Sequence, residues 1–240
     1  DDGIVGWGEF TIGFPKAELS STFHDVNSEL TDSDFELNGP RRGPGMLNQR
    51  IRSAIYTAID QAVFDIHSQK QGKKLVELLT SVTNIDSVPL YANINRSVVE
   101  RSPEEFATRA LEAQEAGFNA IKMAPFDGLT LDLCQTDDGR LLIHKAADRI
   151  QAVRDAVGPD LSIMVDCHWR MDENTANDCL GFLTDTCVSW YECPLPETEE
   201  TIQPLKALRA KANERGMRLA GCEKFTGWKE FKPFVENSVY

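Results

Sequence analysis

Three acidic side chains each close a short apolar run: Asp166 in Met164-Val165-Asp166, Glu192 in Trp190-Tyr191-Glu192 and Glu223 in Gly221-Cys222-Glu223. They recur about one strand-plus-helix unit apart. In a parallel barrel, successive strands deliver their C-terminal ends to one face, where active sites sit. Three carboxylates brought together there repel one another unless a cation neutralises them. Oxygen donors without a His or Cys partner suit a hard ion, Mg²⁺ first, with Mn²⁺ or Ca²⁺ as alternatives. The competing reading makes each acid a helix N-cap or a solvated loop residue.

The first acid opens the run Asp166-Cys167-His168-Trp169-Arg170. Side chains alternate along an extended chain, so Asp166 and His168 are expected on one face and Cys167 on the other. A His beside a metal-bound carboxylate can donate a proton to a leaving group or take one from a substrate. Arg170, just beyond, can pair with a carboxylate or hydroxyls. Lys122 interrupts the apolar run Ala120-Ile121-Lys122-Met123-Ala124, where a charge without a partner is rare. Pointing inward, it reaches the same face as the acids. The plainer alternatives are a structural His at a strand end and a Lys that snorkels to solvent. His24, His67, His144 and the acidic loop 127–138 lack such a context and read as solvated or structural.

These residues need a scaffold. From Val88 onward the chain alternates strand and helix, with strands expected at Val88–Asn93, Ala120–Ala124, Leu161–Asp166, Val188–Glu192 and Met217–Cys222. Ser102-Pro103-Glu104-Glu105 is a capping box with Pro at the first helical position. Gly117, Gly158 and Gly216 punctuate helix ends. Five such units imply a parallel sheet, either open and doubly wound or a barrel. Upstream, residues 1–87 read as an α+β domain. They offer a strand at Ile4–Ile12, an irregular stretch with a Gly/Pro cluster at 38–45, a helix carrying Ile51, Ile55, Ile59, Val63 and Ile66, and a second helix near Lys73–Thr80. Asn237–Tyr240 reads as the entry to another strand.

The chain has 240 residues, with 25 Lys+Arg against 38 Asp+Glu and a formal net charge of −13. That balance, without a basic stripe, argues against nucleic acid or an anionic membrane surface as a partner. No apolar run approaches the ~20 residues of a membrane span. Six Cys lie in the second half without a C-x-x-C pair, which fits reduced thiols on buried elements in a soluble, cytoplasmic protein.

Taken in order, the segments resemble the enolase superfamily in its mandelate racemase/muconate lactonising enzyme branch. The similarity runs through Gly3-Ile-Val-Gly-Trp-Gly-Glu9, the Ala54–Ile66 helix, Val88-Pro-Leu-Tyr91, Ala116-Gly-Phe-Asn-Ala-Ile-Lys122 and Val153-Arg-Asp-Ala-Val-Gly158. It continues through Met164-Val-Asp166, Trp190-Tyr-Glu-Cys-Pro-Leu195 and Ala220-Gly-Cys-Glu223. The resemblance implies an α+β capping domain at 1–87. It also implies the first five βα units of a modified (β/α)7β TIM-like barrel at 88–240. With them come a Mg²⁺ held by Asp166, Glu192 and Glu223, and removal of the proton α to a substrate carboxylate through a metal-stabilised enediolate.

Two departures narrow the subgroup. Many relatives carry Lys-x-Lys on the second barrel strand, the second Lys being a base; here that place is Ala124. The Asp-x-His-x-Arg pattern at 166–170 is similar instead to the acid-sugar dehydratases, in which the residue matching His168 helps the 3-hydroxyl depart. The usual Glu-Glu-Pro is Glu192-Cys193-Pro194. The expectation is a metal-dependent dehydratase of an aldonate-type carboxylate, with His168 as general acid, Lys122 as electrostatic partner and Arg170 as substrate contact. A racemase or epimerase, and a catalytically incomplete metal-binding fragment, are the alternatives. The general base is expected beyond Tyr240, in a protein longer at both ends that forms a homo-oligomer.

Overall fold

A computed structural model describes residues 3–10, 16–31, 50–81, 87–225 and 228–240. The chain divides into two compact units: Asp1–Val88 with Phe225–Glu230, and Pro89–Lys224 with Phe231–Tyr240. Among the described residues, no helix is long and apolar enough to cross a membrane.

The first unit contains helices α1 (Lys16–Glu29), α2 (Arg50–Gln71) and α3 (Leu75–Leu79). The isoleucine-rich stripe of α2 faces inward, with Ile55 and Val63 almost fully buried. Helix α1 falls where the sequence suggested irregular chain. Its apolar side chains are few: Val26 is buried while Phe23 stays exposed, so the periodic signal is thin. The Gly/Pro cluster at 38–45 lies outside the described residues.

The strand expected at Ile4–Ile12 is absent over its described part, Ile4–Phe10. That segment lies along α2 instead, and helix side chains take its polar groups. Asp65 Oδ2 accepts the Trp7 N–H at 2.9 Å, Gln61 Oε1 accepts the Glu9 N–H at 3.0 Å, and Gln69 Nε2 donates to the Val5 carbonyl at 2.9 Å. A Cβ at Gly6 or Gly8 would collide with the α2 backbone at Ala62 or Ala58. Close approach to a helix, rather than pairing in a sheet, is what those glycines serve.

The second unit carries five parallel strands in the order β1-β2-β3-β4-β5. They are β1 (Ala92–Asn93), β2 (Ala120–Met123), β3 (Ser162–Asp166), β4 (Val188–Glu192) and β5 (Arg218–Ala220). Each matches an expected strand, trimmed by up to four residues where ladder pairing stops. The order follows the chain without the reversal that marks a doubly wound sheet. Helices α4 (Pro103–Glu115), α5 (Asp137–Val157), α6 (Glu173–Asp185) and α7 (Ile202–Glu214) alternate with the strands, and α8 (Trp228–Glu236) follows β5. Asn237 and Ser238 form a turn, and Asn237–Tyr240 takes no part in this sheet.

Local signals set most of the boundaries. Ser102 Oγ accepts the Glu105 N–H and caps α4. The capping box is not reciprocal, because the Glu105 carboxylate reaches past Ser102 to the amides of Val99 and Glu100. Gly117, Gly158 and Gly216 all take positive φ after α4, α5 and α7. Ile121, Met123, Ile163, Val165 and Tyr191 are fully buried on alternate strand positions, as are the inward residues Phe106, Ala110, Ile150, Leu183, Leu205 and Leu208 of the helices. All six Cys are free; five are buried, and Cys187, expected inside, is exposed.

The loop after β2 is held unusually. Arg101 Nη2 donates to the Ala124 carbonyl at 2.6 Å, Arg149 Nη1 to Pro125 O at 2.5 Å and Arg170 Nη1 to Phe126 O at 2.6 Å. Asp127, assigned above to a solvated or structural loop, pairs with both Arg101 and Arg149 at 2.8 and 3.0 Å. Arg149→Met should lower the free energy of unfolding by about 1–3 kcal/mol, because it orphans the acceptors of a largely buried guanidinium. Urea denaturation of the two forms checks this; equal midpoints would mean that the loop holds without Arg149.

Candidate active site at the strand ends

Register brings the predicted residues together. Lys122 pairs with Met164, Met164 with Trp190, and Asp166 with Glu192. Lys122, Asp166 and Glu192 therefore share one sheet face, with Lys122 one pleat behind the acids. Asp166 and Glu192 are buried, at 5 and 8% exposure. Two such charges are tolerated only with opposite charge and hydrogen bonds around them.

Lys122 and His168 supply both. Lys122 Nζ donates to Glu192 Oε1 and Oε2 at 2.9 and 3.1 Å and lies 3.7 Å from Asp166 Oδ2. Its ammonium also sits 5.4 Å from the centre of the Tyr91 ring, within cation–π range. The Trp190 indole N–H donates to Glu192 Oε2 at 2.9 Å. His168 Nε2 is 3.2 Å from Asp166 Oδ2, and the His168 backbone N–H donates to Asp166 Oδ1 at 3.1 Å.

The ionisation follows the contacts. Burial pulls the Lys122 pKa down, but the hydrogen bond and charge of Glu192, with Asp166 behind it, hold it well above its ordinary value. Burial pushes Asp166 up, and the hydrogen bonds and charge of His168 bring it below the usual carboxylate range. His168 is raised chiefly by its bond to Asp166, against burial.

The route by which His168 reaches Asp166 differs from the one expected. Strand β3 ends at Asp166, and His168 and Trp169 adopt left-handed backbone, φ 51° and 58°. Strand alternation therefore does not place the imidazole; a tight turn does. Cys193 and Cys222, beside the other two acids, also have positive φ, 46° and 68°. Such conformations cost about 1–2 kcal/mol each for non-glycine residues and tend to cluster at functional sites. Backbone bonds between the loops hold them: Cys167 N–H to Glu192 O at 2.9 Å, Trp169 N–H to Cys193 O at 2.7 Å and Met171 N–H to Pro194 O at 3.1 Å.

Glu223 is exposed and approaches Glu192 and Cys193; ligand atoms of these three lie within 4.8 Å of one another. Asp166 is not in that trio, its carboxylate being engaged by His168 and Lys122. Arg170 is bound to the Phe126 carbonyl, and with His168 and Asp166 it lines a polar pocket of about 110 Å³. Asn95, Arg101 and Asp127 line the same pocket and were not singled out from the sequence. Nothing local marks them, since they arrive from loops distant in the chain. Asp166, Glu192 and Glu223 offer oxygen donors that suit a hard divalent ion. The two buried carboxylates, already paired with cations, fit a site built to balance concentrated negative charge. The Cys193 thiol, its pKa driven up chiefly by burial, stays neutral and is a poor ligand for Mg²⁺.

Known proteins related to this chain fall in one family. Residues 105–240 match the model of the enolase C-terminal domain-like family. A D-gluconate dehydratase of Thermoproteus tenax is 34% identical over 120 residues, 50% of this chain and 23% of the relative. A D-galactonate dehydratase of Klebsiella pneumoniae is 24% identical over 98% of this chain and 59% of its own length. An N-succinyl-L-Arg/Lys racemase of Bacillus cereus is 25% identical over 89% of this chain and 54% of its own. The chain thus spans less than two thirds of the curated relatives it matches. Among solved structures, a mandelate racemase/muconate lactonizing enzyme from Sulfitobacter sp superposes with TM-score 0.78 at 20% identity, covering 100% of this chain and 62% of that one. The chain belongs to the enolase superfamily, in its mandelate racemase/muconate lactonising enzyme branch.

The Asp166–His168 pair predicts a pH signature. The raised His168 pKa contributes stability that is complete below the unfolded value of 6.5 and is lost as pH rises through the folded one. The lowered Asp166 pKa contributes stability above 3.8 that is lost as pH falls through the folded value. In metal-free protein, the His168 imidazole should titrate above 6.5 by NMR. Asp166→Asn should lower that pKa, since burial and the Arg170 charge then act against Glu223 alone. An unshifted His168 titration in the variant would refute the pairing.

Proposed function

We propose that the protein is a metal-dependent carbon–oxygen lyase that removes the proton α to a carboxylate and eliminates water from an aldonate-type acid sugar. The observation that carries this reading is the cluster of Lys122, His168, Asp166 and Glu192 at the ends of consecutive parallel strands. The names of the dehydratase relatives support the substrate class. The strand order supports placing the βα units in a modified TIM-like barrel; residues 1–87 would be the α+β capping domain of such a barrel.

Asp166, Glu192 and Glu223 would hold Mg²⁺, with Mn²⁺ as substitute, and the ion would supply positive charge where negative charge develops on the substrate carboxylate. Lys122 adds a fixed ammonium to the same face, kept protonated by its acidic neighbours. His168, protonated more readily than an ordinary His, lines the pocket and is suited to give its proton to a departing 3-hydroxyl. Arg170 presents a guanidinium to the same pocket for substrate hydroxyls or a carboxylate. Ala124 leaves this strand without a second Lys, so the base lies elsewhere. A racemase needs a base on each side of the α-carbon, which the racemase relative makes the reading to exclude.

With Mg²⁺ and D-gluconate, D-galactonate or D-xylonate, mass spectrometry should show loss of one water and formation of a 2-keto-3-deoxy acid. EDTA and Asp166→Asn should each abolish turnover. His168→Asn should lower kcat by roughly 10²–10⁴-fold, the span of general acid catalysis, while α-proton exchange with D₂O continues. Inversion of the α-carbon without loss of water would replace this reading with the racemase one. Absence of both reactions, with metal still bound, would leave a catalytically incomplete metal-binding protein.

A further inference from the structure

Glu197 lies in the loop after β4, beyond the residues discussed so far. Its Oε2 accepts the Trp169 indole N–H at 2.8 Å. Its Oε1 accepts the Tyr240 hydroxyl at 2.6 Å and also the backbone N–H of Cys222. One carboxylate thus ties the loop after β3 to the loop after β5 while standing on the loop after β4. The three donors are uncharged, and bonds to an ionised acceptor are about twice as strong as neutral ones. Space is closed around it as well: a Cβ at Gly221 would collide with Glu197 Oε1 and the Tyr240 ring.

The two anchored segments are the strained ones next to the proposed chemistry. Cys222, whose amide Glu197 binds, holds φ 68° and immediately precedes Glu223. Trp169, whose indole it binds, holds φ 58° and immediately follows His168. The Trp169 ring also carries Lys224 Nζ at 3.5 Å from its centre. Both residues that flank Glu223 therefore depend on Glu197, Cys222 directly and Lys224 through the indole.

We propose that Glu197 is a positioning residue of the metal centre: its carboxylate fixes the chain on either side of Glu223 and the turn that follows His168. The inference rests on the metal reading above. Glu197 touches neither the acids nor the pocket, so its effect reaches them through Cys222 and Trp169.

Calorimetric titration of Mn²⁺ into metal-free protein and its Glu197→Gln and Glu197→Ala forms tests this, with circular dichroism melts as the check on folding. Glu197→Ala should weaken Mn²⁺ binding about tenfold or more, the usual effect of losing a group that orients a ligand. Glu197→Gln keeps one acceptor but cannot accept all three donors, and should weaken binding by a smaller factor of about three to five. If the Ala form fails to fold, the Gln form decides alone. Folded variants that bind Mn²⁺ within twofold of the unmodified protein, even with lower melting temperatures, would overturn the inference. Lack of Mn²⁺ binding by the unmodified protein is a different result: it removes the metal reading itself.

Discussion

Asp166 and Glu192 sit opposite one another in register on neighbouring strands with little water to solvate them. The effective penalty for burying such ions is several kcal/mol each, and the end of the sheet is organised around offsetting it. Lys122 reaches up from one pleat behind, His168 folds back in a left-handed turn, and Trp190 donates its indole N–H. Removing one partner would leave the others facing an uncompensated charge. Lys122 is committed to Glu192 through both carboxylate oxygens, so any further cation at this carboxylate would have to share it.

Much of this was readable from residue order because the βα rhythm is local. Apolar runs ending in an acid locate β3 and β4 to within a residue, and glycines at 117, 158 and 216 mark helix ends through their positive φ. The failures have equally physical causes. Helix α1 buries too few apolar residues to show a period. Ile4–Phe10 reads as a strand, yet its hydrogen bonds go to side chains of α2. The partner of a segment is a tertiary property that local composition does not encode. His168 was assigned to the right neighbour through a premise that fails, since the chain turns before reaching it.

What escaped the sequence acts over long range. Asn95 and Arg101 enter the pocket from the loop after β1 and Asp127 from the loop after β2, and Glu197 lies in an acidic stretch whose composition reads as solvated surface. Its three hydrogen bonds span 25 to 43 residues, beyond any local pattern. The two departures from family patterns, Ala124 and Cys193, were visible as single residues, but their surroundings were not. Cys193 occupies a left-handed position with a neutral, buried thiol, so the acid it replaces has not been exchanged for another charge.

The loop after β2 carries one further implication. The carbonyls of Ala124, Pro125 and Phe126 are each bound by a different arginine, none of them from the loop itself. The path of this loop is consequently set largely by side chains that reach it from outside, with Asp127 pairing back to two of them. Ala124 itself is buried and lines the pocket, so a longer side chain there would have to find room in it. The groups that hold this strand end come from the loop before α4, from α5 and from the loop after β3, which couples its backbone to three separate parts of the unit.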